Sequence, residues 1–383
     1  MLEGLVFEGG TLSVKVESQQ RVDIVLFAVT IVLLCIGVVM VHSASSVISF
    51  QKFHDAFYYA KRQVLWAALG VILMLMMANY DYHNLRKFAP KIAVVSFIFL
   101  AVVLIPGVGS NRGGSQAWLG IGSFGIQPSE FAKLGLIIFL AHYLADASER
   151  MQSFRRGLLP PLGMALVAVG LIMLEPDLGQ SVVIMGTTII LLFAAGARIS
   201  HLAGLGGVGL GAFGVLVAIA PYRMDRITSF LNPWKDPLGT GYQIIQSLYA
   251  LGSGGVLGLG LGNSRQKYLY LPEPQTDFVY SILGEELGFL GTAAVLALFG
   301  VVVWRGFRTA ILAPDEFGSL LAVGITGMIT VQVLINVGVV TGSIPATGIT
   351  LPFISYGGSS LTLMLTGVGI LLNISRQAIQ TVR

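Results

Sequence analysis

Apolar runs of roughly 15 to 25 residues, long enough to cross the hydrocarbon core of a bilayer, recur along the whole chain. They fall near 22–41, 64–78, 92–107, 130–145, 160–174, 180–196, 203–221, 278–303, 318–341 and 357–375. The first is too long for the core of a cleavable signal sequence, and only Arg21 supplies a basic charge immediately ahead of it, so an uncleaved first span is expected. The pattern predicts an all-α, polytopic membrane protein of about ten transmembrane helices. No fixed-period repeat or long low-complexity linker divides it, so 1–383 is expected to form a single transmembrane domain.

Composition agrees: 55% of the residues are hydrophobic and only 11% are charged, with a mean hydropathy of +0.81. A water-soluble globule with an ordinary charged surface does not reach these values. Basic loops resist export, and with both termini on the cytoplasmic side the inner segments hold 13 of the 23 Lys and Arg residues. The reverse orientation fits worse. The net charge of +4 is scattered as topology requires, which excludes a nucleic-acid surface. The single cysteine, Cys35, excludes an intramolecular disulfide and a Cys-based metal cage. The five histidines lack ligand spacing, which argues against a zinc site.

The irregular stretches gather on the expected outer side: a Gly-rich loop at 108–129, a long extracytoplasmic loop at 222–277 between helices 7 and 8, and a Pro/Gly/Ser-rich stretch at 342–360. Ile244, Ile245, Leu248 and Leu251 follow helical spacing after Gly241. They predict an amphipathic helix at the outer interface, roofing a cavity. Trp66, Trp118, Trp234 and Trp304 fall near predicted span ends, as interfacial anchors do. Gly252 through Gly262 resemble a phosphate-cradling loop only superficially, because no Gly-Lys-Ser/Thr follows. Close backbone packing is the expected role of these glycines and of Gly204 through Gly214.

Asp277, where the long loop meets the eighth span, is the first candidate for chemistry. It is either a partly desolvated proton acceptor or a helix-capping acid. Glu130 and Lys133 share one face of the fourth span and are expected to pair, as a site or as a helix lock. Glu285 and Glu286 enter the membrane beyond Asp277 and need protons, a cation or hydrogen-bond donors. They are read as structural. Glu175 and Asp177 flank a short turn, where they line the cavity or cap the sixth span, the cap being favoured. Arg223, Arg226, Arg265 and Lys267 make the long loop basic, suited to headgroups or to a diphosphate. Arg112 and Ser359 join them as supporting candidates.

These residues sit in stretches specific enough to name a family. Gly113 to Leu119, Gln127 to Lys133, Glu175 to Gly179, Gly262 to Lys267, Pro272 to Phe278, Gly284 to Gly288 and Gly348 to Ser360 occur in order, and over nearly its whole length the chain resembles the SEDS proteins (shape, elongation, division and sporulation). The segment from Asn336 to Arg376 is more similar to the division and sporulation members, FtsW and SpoVE, than to the elongation member, RodA. Where the family commonly has His before Thr-Asp, this chain has Gln275.

The resemblance implies a peptidoglycan glycosyltransferase that polymerises lipid II at the outer face of the bacterial cytoplasmic membrane; the alternatives are a lipid II flippase and a non-catalytic division scaffold. It implies a class B penicillin-binding protein as partner, together with other division proteins at the septum. It carries the essential acid onto Asp277 and an important membrane-embedded pair onto Glu130 and Lys133. Conversion of an α-linked diphosphate donor into a β-1,4 glycan is an inversion, which needs one base and a stabilised leaving group. Cationic side chains, with Mg²⁺ or Mn²⁺ as a loosely bound helper, are expected to offset the departing diphosphate.

Overall fold

The computed structural model of the chain describes residues 5–8, 11–14, 22–112, 115–120, 125–147, 150–219 and 221–378; for some of these, Arg112 and Arg223 among them, only the backbone is described. The described helices are α1 (Ile24–Phe53), α2 (Tyr58–Asn79), α3 (His83–Val103), α4 (Pro128–Ala145), α5 (Leu159–Leu174), α6 (Leu178–Ala194), α7 (Ile199–Ile219), the shorter α8 (Pro221–Leu231) and α9 (Tyr242–Gly254), then α10 (Val279–Leu312), α11 (Glu316–Val340) and α12 (Gly358–Gln377). The ten longer ones coincide with the ten apolar runs. By length and composition, α1, α2, α5 with the turn before it, α10, α11 and α12 are long and apolar enough to cross a membrane. Two antiparallel hairpins add the only strands among the described residues: β1 (Leu5–Glu8) with β2 (Thr11–Val14), and β3 (Gly109–Arg112) with β4 (Ser115–Leu119).

Helix starts follow from local chemistry. The carboxylates of Asp23, Asp177 and Asp315 accept the N–H of Leu26, Gln180 and Gly318 at 3.0, 3.1 and 2.9 Å, each satisfying a first-turn donor that has no intrahelical partner. Pro128 opens α4, where its missing N–H costs nothing. Helices α11 and α12 form the buried centre, while α2 and α10 turn most of their apolar residues outward, as a lipid-facing ring requires.

One span is broken. Gly288 in α10 has φ 68 and ψ −167, a conformation open to glycine. Residues 255–260 insert at the break: Leu259 and Gly260 donate to the carbonyls of Glu285 and Glu286, both at 3.0 Å, and Phe289 and Leu290 donate to Gly255 and Val256 at 2.9 and 3.1 Å. The interrupted helix thereby regains partners for its backbone, which a membrane interior demands. A side chain at Gly254 or Gly258 would strike the α10 backbone, so packing accounts for these two glycines.

One expectation needs correction. In α7, a Cβ on Gly204, Gly206, Gly207, Gly209, Gly211 or Gly214 would meet nothing within 4 Å, so these glycines do not mediate close packing among the described residues. Helix α9 begins after Gly241, where the spacing of Ile244, Ile245, Leu248 and Leu251 predicts a helix. Ile244 and Ile245 are buried, and the Ser247 hydroxyl donates to the Val340 carbonyl at 2.6 Å and lies 2.8 Å from the Ser281 hydroxyl. Its polar and apolar positions together seat it on α10 and α11. The long loop also contains α8, which carries Arg223 and Arg226 about one turn apart.

Candidate active site

Asp277 lies just before α10, in a turn whose backbone is held rigidly. The carbonyls of three successive residues are occupied: Gln275 accepts the Tyr356 N–H at 2.8 Å, Thr276 accepts the Ser355 hydroxyl at 2.6 Å, and Asp277 accepts the Asn336 side-chain amide at 2.8 Å. The same amide of Asn336 also donates to Ile349 at 2.8 Å. The Asp277 side chain, in contrast, is half-buried and accepts no hydrogen bond among the described residues, and the cap position of α10 is Phe278, with no side-chain cap. The capping alternative for Asp277 therefore fails. Opposite the carboxylate stands Gly348 at φ +75, where an added Cβ would lie 3.6 Å from Asp277 Oδ2. Burial pushes the carboxyl up to about 6; the charges of Glu273 and Asp177 add to this, and Arg226 opposes it.

Asp177 caps α6 through Gln180 and also accepts the Gln127 side-chain amide at 3.2 Å. Burial raises its pKa, Glu130 adds to the rise, and the Gln180 amide, Lys133 and Arg226 oppose it. Glu175 corrects the expectation of a second cap. Both its oxygens are buried without a hydrogen-bond partner, and burial, with the neighbouring Asp177 charge, pushes it up to about 8.

Glu130 and Lys133 pair at 2.9 Å, each 2% exposed, and Gln180 donates to the same Glu130 oxygen at 2.9 Å. The Gln127 N–H donates to the Ser359 hydroxyl at 3.3 Å, tying the start of α4 to the start of α12. Asp177 feels Glu130, Lys133 and Arg226, and Asp277 feels Asp177 and Arg226. The starts of α4, α6, α10 and α12 thus meet helix α8 in one electrostatically connected place. Arg226 also donates to the Ala346 carbonyl at 3.2 Å, next to the strip that faces Asp277. Such a site offers one open carboxylate, one exposed guanidinium and a buried ion pair, a set suited to proton abstraction beside an anionic leaving group.

The basic candidates divide. Lys267 is not at this site: its ammonium donates to the Gly262 carbonyl and lies 3.6 Å from Glu286. Burial of two adjacent glutamates requires that inward turn. Glu286 also accepts the Ser43 hydroxyl at 2.6 Å, while Glu285 accepts the Ser264 hydroxyl at 2.5 Å and the Arg265 N–H at 3.0 Å. Arg265 has an exposed side chain at the edge of that cluster. The side chains of Arg112 and Arg223 lie outside the described residues. Asn336, Ser355 and Gly348 were not among the sequence candidates for the site, although they lie in the two family-like stretches at 336–342 and 348–360. Their role depends on tertiary contacts with 275–277 that no local pattern announces. Among the described residues no three His, Cys, Asp or Glu side chains converge to hold a metal ion.

The chain is 57% identical over 354 residues to stage V sporulation protein E of Bacillus subtilis, covering 92% of this chain and 97% of that protein. It is 43% identical over 353 residues to a probable peptidoglycan glycosyltransferase FtsW of a Geobacter species, covering 92% and 96%. Among solved structures, a chain of a peptidoglycan synthase complex superposes with a TM-score of 0.77 at 32% identity, covering 93% and 98%. The rod shape determining protein RodA of Thermus thermophilus does so with a TM-score of 0.69 at 30% identity, covering 94% and 98%. The FtsW/RodA/SpoVE model of cell cycle proteins matches residues 23–380, and the chain belongs to that family.

Proposed function

We propose that this chain is a membrane-embedded peptidoglycan glycosyltransferase that extends β-1,4 glycan from lipid II at the outer face of the cytoplasmic membrane. Asp277 acts as general base. It removes the proton from the acceptor's 4-hydroxyl as that oxygen attacks the anomeric carbon, and the bond to the diphosphate breaks. One carboxylate is enough, since inversion forms no glycosyl-enzyme intermediate. The observation that carries this reading is an acid with a fixed backbone and an open carboxylate, raised to about 6. Near that value the group is ionised at neutral pH and still basic enough to take a proton in the transition state.

Arg226 is placed to offset charge on the departing diphosphate, with Arg223 on the same helix. Glu130 and Lys133 orient the α4 and α6 ends through Gln180. Any divalent ion would enter with the substrate's diphosphate, whose oxygens supply ligands that the protein lacks. The relatives' names, a stage V sporulation protein and FtsW, support a role in division or sporulation; the site of action in this reading is the septum, and the partner is a class B penicillin-binding protein that cross-links the product. The test is glycan synthesis from purified lipid II, with and without that partner, by the wild type and Asp277→Asn. Loss of polymer from a folded variant supports the assignment, and full activity refutes it. Transport of lipid II across vesicles by a protein that makes no polymer would favour the flippase alternative.

A further inference from the structure

In an inverting transfer the attacking hydroxyl and the leaving group lie on opposite sides of the reacting carbon, so the acceptor sugar needs a place of its own beside the base. The surroundings of Asp277 are divided in this way. Arg226 and Asp177 come from α8 and α6, whereas a second flank is built by α2 and the start of α12, which pack on each other. There Tyr356, whose N–H is bound to Gln275, meets Tyr59 edge-on, with ring centroids 5.0 Å apart and planes at 78°. Tyr59 meets Tyr58 edge-on at 5.4 Å, and the Tyr58 ring is itself covered, stacked on Phe53 at 3.7 Å with the Arg62 guanidinium 4.7 Å over it. Glu273, four residues before Asp277, is within electrostatic reach of Tyr59.

We propose that Tyr356 and Tyr59, backed by Tyr58, form a saccharide subsite that receives the pyranose of the acceptor. A pyranose ring presents an apolar C–H face that packs on aromatic rings, and a polar rim of hydroxyls and acetamide that needs partners such as Arg62 and Glu273. The flank offers both surfaces together. Simple interfacial anchoring describes other aromatics of the same turn: Phe50 and Phe57 are 60% and 53% exposed, as belt residues are, whereas the three tyrosines are half-buried and turned toward one another. The placement of the subsite rests on the reading of Asp277 as the base, but its capacity to hold a sugar does not.

The test is saturation-transfer NMR with the soluble disaccharide of N-acetylglucosamine and N-acetylmuramic acid, free of lipid and diphosphate, added to full-length Asp277→Asn protein in nanodiscs. No turnover is read, so the result is independent of which residue abstracts the proton. Transfer to the sugar-ring protons is expected, reduced about fivefold by adding Tyr59→Leu and retained with Tyr59→Phe, which keeps the ring. Phe50→Leu serves as the comparison for general disturbance of the turn and is expected to leave transfer intact. Absence of transfer to the parent protein, equal transfer in Tyr59→Leu, or an equal loss in Phe50→Leu overturns the proposal.

Discussion

Two sets of acids stand near the start of α10 and are treated oppositely by the fold. Glu285 and Glu286 are wrapped by residues 262–267: hydroxyls, backbone amides and the Lys267 ammonium converge on them. Asp277 has the reverse arrangement, with its backbone carbonyl held and its carboxylate open. A carboxylate that holds structure together has oxygens occupied, both of them in Glu285 and Oε1 in Glu286, whose Oε2 is buried without a hydrogen-bond partner among the described residues; a buried acceptor without a partner is costly. One that serves chemistry keeps an oxygen available and accepts a raised pKa as the consequence.

Breaking the contrast at Asp277 has the largest expected effect. Asp277→Asn should lower polymerisation by about 10²- to 10⁴-fold, the usual range for a lost general base. Stability should move the other way. The folded-state value of about 6 lies above the ordinary 3.8, so the fold penalises the ionised form, and removing that charge should raise the melting temperature above pH 6. At the structural acids the order reverses. Glu286→Ala strands Lys267 in a buried place and should cost about 3–5 kcal/mol of stability, read as a lower melting temperature, with residual activity following the folded fraction.

Asn336→Leu sharpens the comparison by loosening the clamp while leaving the carboxylate in place. Two carbonyls lose their donor, at about 1–3 kcal/mol, and a lower kcat at unchanged KM is expected from a misplaced base. The smallest effect is expected from exchanging Glu130 and Lys133, which preserves the pair but reverses the field at Asp177. Polymerisation should fall less than in Asn336→Leu. Wild-type activity in the exchanged protein would make the pair a helix lock only.

The spans were legible because lipid forces long, nearly uninterrupted apolar runs. The contact between Glu130 and Lys133 was legible because a spacing of three residues places both on one helix face. What could not be read was tertiary. Lys267 looks like a free loop cation until Glu286, distant in sequence, is brought beside it by the insertion of 255–260 at Gly288. The α7 glycines look like packing residues, yet among the described residues nothing lies within 4 Å of where their Cβ atoms would stand. Glu175 resembles a cap by position, but Asp177 takes the α6 amide and leaves it without a partner.

The most direct test of the central claim is the rate of glycan extension from lipid II as a function of pH, for the wild type and Asp277→Asn with the penicillin-binding partner present. The wild-type rate should rise tenfold per pH unit below about 6 and level off above it, following ionisation of Asp277, while the residual rate of the variant should lose that limb. The same acidic limb in both proteins would assign the titration to another group and contradict the account.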